Sequence, residues 1–157
     1  MSILHQFGTF SGYKLNFQKS ELFPINPIAT RLPHSLFPFK RMDSGFKYLG
    51  IFITKSFPHI FKENFLPLLE RCKEDFSPWS TLPLSLVGRI NLIKMVVLPK
   101  FLYLFQHIPV FIRKSFFTKF DQTVSSFLWG NKPRRIKKVY LQLPKSMGGM
   151  ALPNFLY

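Results

Sequence analysis

The sequence predicts an α+β chain that is mostly helical. One helix, a short strand and a β-hairpin come first, followed by a bundle of about three long helices and a basic tail. Two observations carry this. Before residue 58 the apolar side chains alternate in short runs broken by proline and glycine, the pattern of short strands and turns. After it they recur at helical spacing over long stretches, the pattern of buried helix faces. A third observation bears on function: twenty-two Lys and Arg face seven Asp and Glu, a formal charge of +15, in a chain with twenty Phe. Such an excess repels itself unless a polyanion or an anionic surface screens it.

Taking the elements in order, Ile3, Leu4, Phe7 and Phe10 share one helical face, and Ser11-Gly12 supplies a stop. Tyr13, Leu15 and Phe17 alternate with Lys14 and Asn16, which predicts a short strand. Prolines 24, 27, 33 and 38 make the next stretch loop-like, with room for one short helix capped by Asn26 and opened by Pro27. Phe37 to Arg41 and Phe46 to Ile53 then read as two strands of a hairpin turned by Asp43-Ser44-Gly45.

The helical part follows Ser56-Phe57-Pro58. Phe61, Phe65, Leu68, Leu69, Cys72 and Phe76 fall on one face. Asn64 is expected to cap this helix, Pro67 to lie in its first turn and Ser77-Pro78 to end it. Ser85 is expected to cap the next helix. There Leu86, Ile90, Ile93, Val97, Phe101, Leu104 and Ile108 form the inward stripe, Arg89, Lys94 and Lys100 lie opposite, and Pro99 kinks or divides the helix. A last long helix runs from about Ile112 to Trp129, with Phe116, Phe120, Val124, Phe127 and Leu128 inward and Gly130 as its stop. Lys132 to Lys138 is a basic loop, Gly148 to Phe155 is turn-rich, and the apolar run reaching Tyr157 reads as an unfinished segment.

Length and composition set the bounds. A chain of 157 residues fits one domain with at most a small appendage, and it is long enough to bury a core. Its 46% apolar content argues against disorder. A single cysteine, Cys72, permits no internal disulfide. The first residues carry no basic n-region and no long apolar run, so no signal peptide is expected, and a nuclear or cytoplasmic location ranks ahead of secretion. Met95 to Ile112 is apolar enough to test as a membrane span. Lys100, Pro99 and Pro109 interrupt it, so a buried helix is expected there.

The chemistry of known catalytic sites is missing from the pattern. There is no phosphate-cradling glycine loop, and His5, His34, His59 and His107 stand far apart with no metal-ligand spacing. Glu74-Asp75 reads as a solvated helix face. No catalytic residue, metal ligand or small-molecule substrate is expected. From Arg113 to Lys145 there are nine Lys or Arg and one acid, Asp121. That one-sided bias points to phosphate contacts by Arg113, Lys114, Arg134, Arg135, Lys137 and Lys138. Interleaved Phe and Tyr offer flat apolar surfaces to sugars and bases, so the expected partner is RNA or DNA.

Two segments carry a family resemblance: Ser11-Gly12-Tyr13-Lys14-Leu15-Asn16-Phe17-Gln18-Lys19-Ser20-Glu21, and Phe46-Lys47-Tyr48-Leu49-Gly50-Ile51. In this order they resemble the last two palm motifs of reverse transcriptases, most closely the non-LTR retrotransposon (long interspersed element) type. Trp79 to Pro109 resembles the thumb of those enzymes. Phe127-Leu128-Trp129 and Gly148 to Asn154 resemble the region after it. The likeness covers essentially the whole chain, and the ordered set is specific.

The resemblance implies residues 1–57 as the end of the palm, 58–130 as a thumb-like helical bundle and 131–157 as a basic connector. It implies that Lys19 assists the departing pyrophosphate in the complete enzyme, where a cation neutralises developing charge. It implies that Phe46, Lys47, Tyr48, Leu49 and Gly50 belong to the primer grip, with Gly50 allowing close approach of backbone to nucleic acid. Lys14, Arg89, Lys94 and Lys100 would join the nucleic-acid surface. The family's catalytic aspartates lie upstream of the Ser-Gly-Tyr motif, and this chain begins just after where their loop would end. Those acids hold the two Mg²⁺ ions of the complete enzyme, so no cofactor is expected in this chain. Contacts to the missing palm and fingers would be lost. The expected function is a catalytically incomplete fragment that binds template–primer nucleic acid non-specifically. The alternatives are a domesticated nucleic-acid or protein-interaction module and, behind it, a membrane-associated protein.

Overall fold

The computed structural model describes residues 2–130 and 132–155; Met1, Asn131, Leu156 and Tyr157, and with the last two the end of the apolar run, lie outside them. Helix takes 58% of the chain and strand 7%, which makes it the mostly helical α+β chain expected. Contacts divide it into two units, one ending at Ser56 and one beginning at Phe57.

In the first unit, α1 (Ser2–Ser11) forms where the apolar spacing places it, and the Gly12 N–H closes it on the Gly8 carbonyl at 3.0 Å. The helix buries nothing: Ile3 and Phe7 are exposed and Phe10 is 92% exposed. The strand expected over Tyr13 to Phe17 does not form. The Asn16 side-chain oxygen accepts the N–H groups of Gln18 and Lys19, each at 3.1 Å, and turns the chain there. This local bond outcompetes the alternation, since no partner strand lies alongside. The strand forms later, as β1 (Glu21–Leu22), and pairs in parallel with β2 (Lys40–Arg41).

The connection carries α2 (Pro27–Thr30), opened as expected: the Asn26 side chain accepts the Ala29 N–H at 2.7 Å, and Pro27 sits where its missing N–H is harmless. Arg41 ties this loop down. Its guanidinium donates to the carbonyls of Thr30 at 2.6 Å and Leu32 at 2.7 Å and pairs with Asp43 at 2.9 Å, leaving the side chain 8% exposed.

The expected hairpin of Phe37–Arg41 with Phe46–Ile53 is corrected as well. The second segment folds on itself: β3 (Phe46–Tyr48) pairs antiparallel with β4 (Ile51–Ile53), Tyr48 opposite Ile51. Leu49 and Gly50 form the two-residue turn, with φ of 46° and 86°. Paired positive φ values match the twist of a tight hairpin, and Gly50 takes its value without strain. Asp43 meanwhile serves Arg41, and β2 already has its neighbour in β1.

The second unit opens with α3 (Phe57–Thr81), 25 residues long. It begins seven residues before the expected cap and passes through both prolines that were to bound it. Asn64 is not a cap; buried mid-helix, its side-chain amide donates to the Ile60 carbonyl at 2.7 Å. An interior proline costs about 3 kcal/mol, and burying each of Phe65, Leu69, Cys72 and Phe76 returns about 1.5–3 kcal/mol for a residue of that kind. Pro67 and Pro78 are both exposed, so water can serve the carbonyls of Glu63 and Glu74 that they leave unpaired.

α4 (Leu86–Leu92) starts at Ser85, whose hydroxyl accepts the Gly88 N–H at 3.2 Å. The chain then widens into a π-turn over Ile93–Val97 and continues as α5 (Leu98–His107). The π-turn is how Pro99 is absorbed: the Leu98 N–H reaches back to Ile93, and Pro99 falls in the first turn of a new helical stretch. Ile90, Ile93, Val97, Phe101, Leu104 and Ile108 are buried as the spacing predicts. α6 (Lys114–Trp129) starts two residues later than expected and stops at Gly130, φ 55°. All five of its predicted inward residues are buried.

Phenylalanines make the core. Phe101 lies 4.4 Å from Phe120, which meets the edge of Phe155 at 4.6 Å. Phe76 on α3 stacks on Phe127 of α6 at 4.3 Å with planes 4° apart. The basic loop ends at Lys137, one residue earlier than expected, because Lys138 opens α7 (Lys138–Gln142). The Leu141 carbonyl then accepts the N–H groups of Met150 and Leu152, which turns the last segment back and buries Leu152 and Phe155. Gly149 is needed there, since a Cβ would sit 2.0 Å from the Leu143 carbonyl oxygen. Among the described residues no helix is long and apolar enough to cross a membrane.

Truncating Phe101 to Ala is expected to destabilise the second unit by about 3–5 kcal/mol in chemical denaturation, the usual cost of emptying a packed aromatic site. Phe10→Ser on α1 is expected to change stability by less than about 0.5 kcal/mol.

Candidate nucleic-acid interface

The second-unit cations that the sequence singles out divide into two groups. Arg89, which was expected on the outer side of its helix, instead donates to the Phe127 carbonyl and lies 5.4 Å from the centre of the Phe127 ring. Lys94 donates to the Met150 carbonyl at 2.8 Å. Lys100 pairs with Asp75 at 2.8 Å, and Lys138 pairs with Asp121. Arg89, Lys100 and Lys138 tie helices together, and Lys94 ties its helix to the returning C-terminal segment. The second group faces water. Arg113 and Lys114 stand at the start of α6, and Arg134, Arg135 and Lys137 lie on the loop before α7. Among the described residues none of these five has a carboxylate within 4.0 Å.

The first unit carries its own exposed cations. Lys14 lines a depression with His5, Tyr13 and Phe17. Lys19 is exposed on the turn that Asn16 makes. Phe46 anchors the hairpin, its ring edge-on to Phe23 at 5.1 Å, while Lys47, Tyr48, Leu49 and Gly50 are exposed at and beside the tip.

Composition alone did not show one feature of the second unit. The outer side of α6 forms the floor of two adjoining depressions, of about 570 Å³ and 220 Å³, which share Gln122 and Ser126. Lys73, Ser77 and Ser80 of α3 line the first; Trp129, Lys132 and Arg134 line the second. The sequence carried one trace of it, polar side chains at Gln122, Thr123, Ser125 and Ser126 opposite the phenylalanine stripe.

No protein-family model matches this chain. Among the described residues no three His, Cys, Asp or Glu side chains gather as a metal group would require. Cys72 is fully buried in α3, and burial pushes its thiol up to about 11; the Lys100 ammonium pulls it down and Asp75 adds to the rise.

Two measurements follow. Because the folded thiol keeps its proton above the range where the unfolded one loses it, stability is expected to fall between about pH 9 and pH 11. A Cys72→Ala variant should lose that component of the denaturation profile, and a thiol reagent at neutral pH should label the native protein only after unfolding. Arg89→Ala and Lys94→Ala, which remove charged donors from part-buried carbonyls, are expected to lower stability by about 1–3 kcal/mol. Arg135→Ala should stay within about 0.5 kcal/mol of the parent in the same denaturation assay.

Proposed function

We propose that this chain is a catalytically incomplete part of a reverse transcriptase of the non-LTR retrotransposon type, holding template–primer nucleic acid through its basic surfaces without reading sequence. The reading rests first on the ordered motifs, from Ser11-Gly12-Tyr13 through Phe46 to Ile51 and on to Gly148 to Asn154. The observation that carries the binding half is the group of five exposed cations on α6 and its following loop, which have no carboxylate beside them. Such a surface releases counterions when it meets phosphates, and that release drives association.

The polymerisation half is proposed to be missing because none of the seven acids occupies a position matching the family's catalytic aspartates. Four of the seven, Asp43, Glu70, Asp75 and Asp121, are engaged in ion pairs. Mg²⁺ chemistry belongs, in this reading, to the complete enzyme. In a complete enzyme of this type, the exposed apolar face of α1 would pack against the rest of the palm.

Filter binding across a salt series checks the proposal. The logarithm of affinity for an RNA–DNA duplex should fall with the logarithm of salt with a slope of roughly −3 to −5. Replacing Arg134, Arg135 and Lys137 by Ser should flatten that slope by about 2–3. A primed RNA template supplied with Mg²⁺ and nucleotides should not be extended. Extension, or binding indifferent to salt, overturns the reading.

A further inference from the structure

The groove on the outer face of α6 shares only Arg134 with the cations of the proposal above, and the rest of its chemistry differs from theirs. Its floor is neutral and hydrogen-bonding: the Gln122 amide and the Ser126 hydroxyl are common to both depressions, and Ser125 lies beside them. Its walls are cationic, Lys73 on the α3 side and Lys132 with Arg134 on the loop side. Trp129 is half-buried at the edge of the second depression, between these cations. Among the described residues its indole makes no ring contact, whereas Trp79 lies 6.0 Å from Phe76 and 6.2 Å from Phe127.

The nearby acids do not oppose an anion. Glu70 is held at 2.8 Å by Lys73 in a pair whose side chains are 62% and 50% exposed. Exposed pairs of this kind are weak and exchange readily for a phosphate. Asp121 lines the small cavity behind Trp129 and is neutralised by Lys138.

We infer that this groove is a track for single-stranded nucleic acid, with Trp129 as the surface on which an unpaired base stacks. The inference rests on the nucleic-acid reading above and sharpens it. Duplexes keep their bases stacked on one another and present phosphates. They have no unpaired base to lay on a half-exposed indole. An unpaired strand uses the groove more fully: its phosphates meet Lys73, Lys132 and Arg134, its bases stack on the indole, and its base edges reach the Gln122 amide.

The test uses the full chain carrying Trp79→Phe, so that Trp129 alone reports. A twelve-residue oligothymidylate should quench the Trp129 emission saturably, and a duplex of equal length should quench it much less. Trp129→Ala should weaken oligothymidylate binding about tenfold or more while changing duplex binding less than twofold. Trp129→Tyr should restore most of the loss. Lys132→Ser with Arg134→Ser changes only exposed side chains, so it decides the matter if Trp129→Ala fails to fold; it should weaken the single strand more than the duplex. Equal losses for both ligands, or no loss for the single strand, overturn the track while leaving non-specific binding standing. Failure of the parent protein to bind either ligand overturns the reading beneath it as well.

Discussion

Seven carboxylates cannot neutralise twenty-two basic side chains, so the cations that enter the fold must find other acceptors. They find main-chain carbonyls. Arg41 takes those of Thr30 and Leu32, Arg89 takes that of Phe127 and Lys94 takes that of Met150. Each bond does two things at once: it compensates a charge drawn toward the fold, and it gives a main-chain carbonyl in a loop or near a helix end a charged donor. Arg89 reaches the last turn of α6, where unpaired carbonyls concentrate partial negative charge. The three residues hold separate stretches of chain, the α2 loop, the end of α6 and the returning C-terminal segment. Lys100 and Lys138 find two of the few carboxylates, Asp75 and Asp121, while Arg113, Lys114, Arg134, Arg135 and Lys137 stay exposed without one.

Local chemistry made much of the fold legible. Asn26 and Ser85 cap the helices their side chains specify, because a cap needs only a partner three residues away. The burial of Phe116, Phe120, Val124, Phe127 and Leu128 follows from spacing alone. The misreadings came where a distant partner or a summed energy decides. Pro67 and Pro78 have the look of boundaries, yet α3 runs through them because its apolar face outweighs them. Lys40–Arg41 looked like half of a hairpin, but its partner is Glu21–Leu22, nineteen residues earlier in register, and no turn between them announces it.

The same distinction governs the functional surface. The basic loop from Lys132 to Lys137 can be read directly, since a run of like charge has nowhere to go but out. Arg89 and Lys94 could not be sorted from it by sequence, because their acceptors lie 38 and 56 residues away. The groove on α6 left only the trace of a polar helix face, for the opposite reason. Its floor is made of neutral side chains that carry no pattern of their own, and only the placement of α3 and the loop on either side gives Gln122, Ser126 and Trp129 a common setting.

The turned-back segment from Met150 to Phe155 has a consequence for how the molecule comes into being. Phe155 closes over Phe101 and Phe120, and Met150 receives Lys94, so the bundle's apolar centre is finished by the part of it that leaves the ribosome last. Until then a nascent chain carries long helices with an open aromatic seam. Ordering it requires closing a loop of more than fifty residues, an entropic toll that slows the final step. During that interval the open seam is the kind of surface on which association with other chains competes with folding.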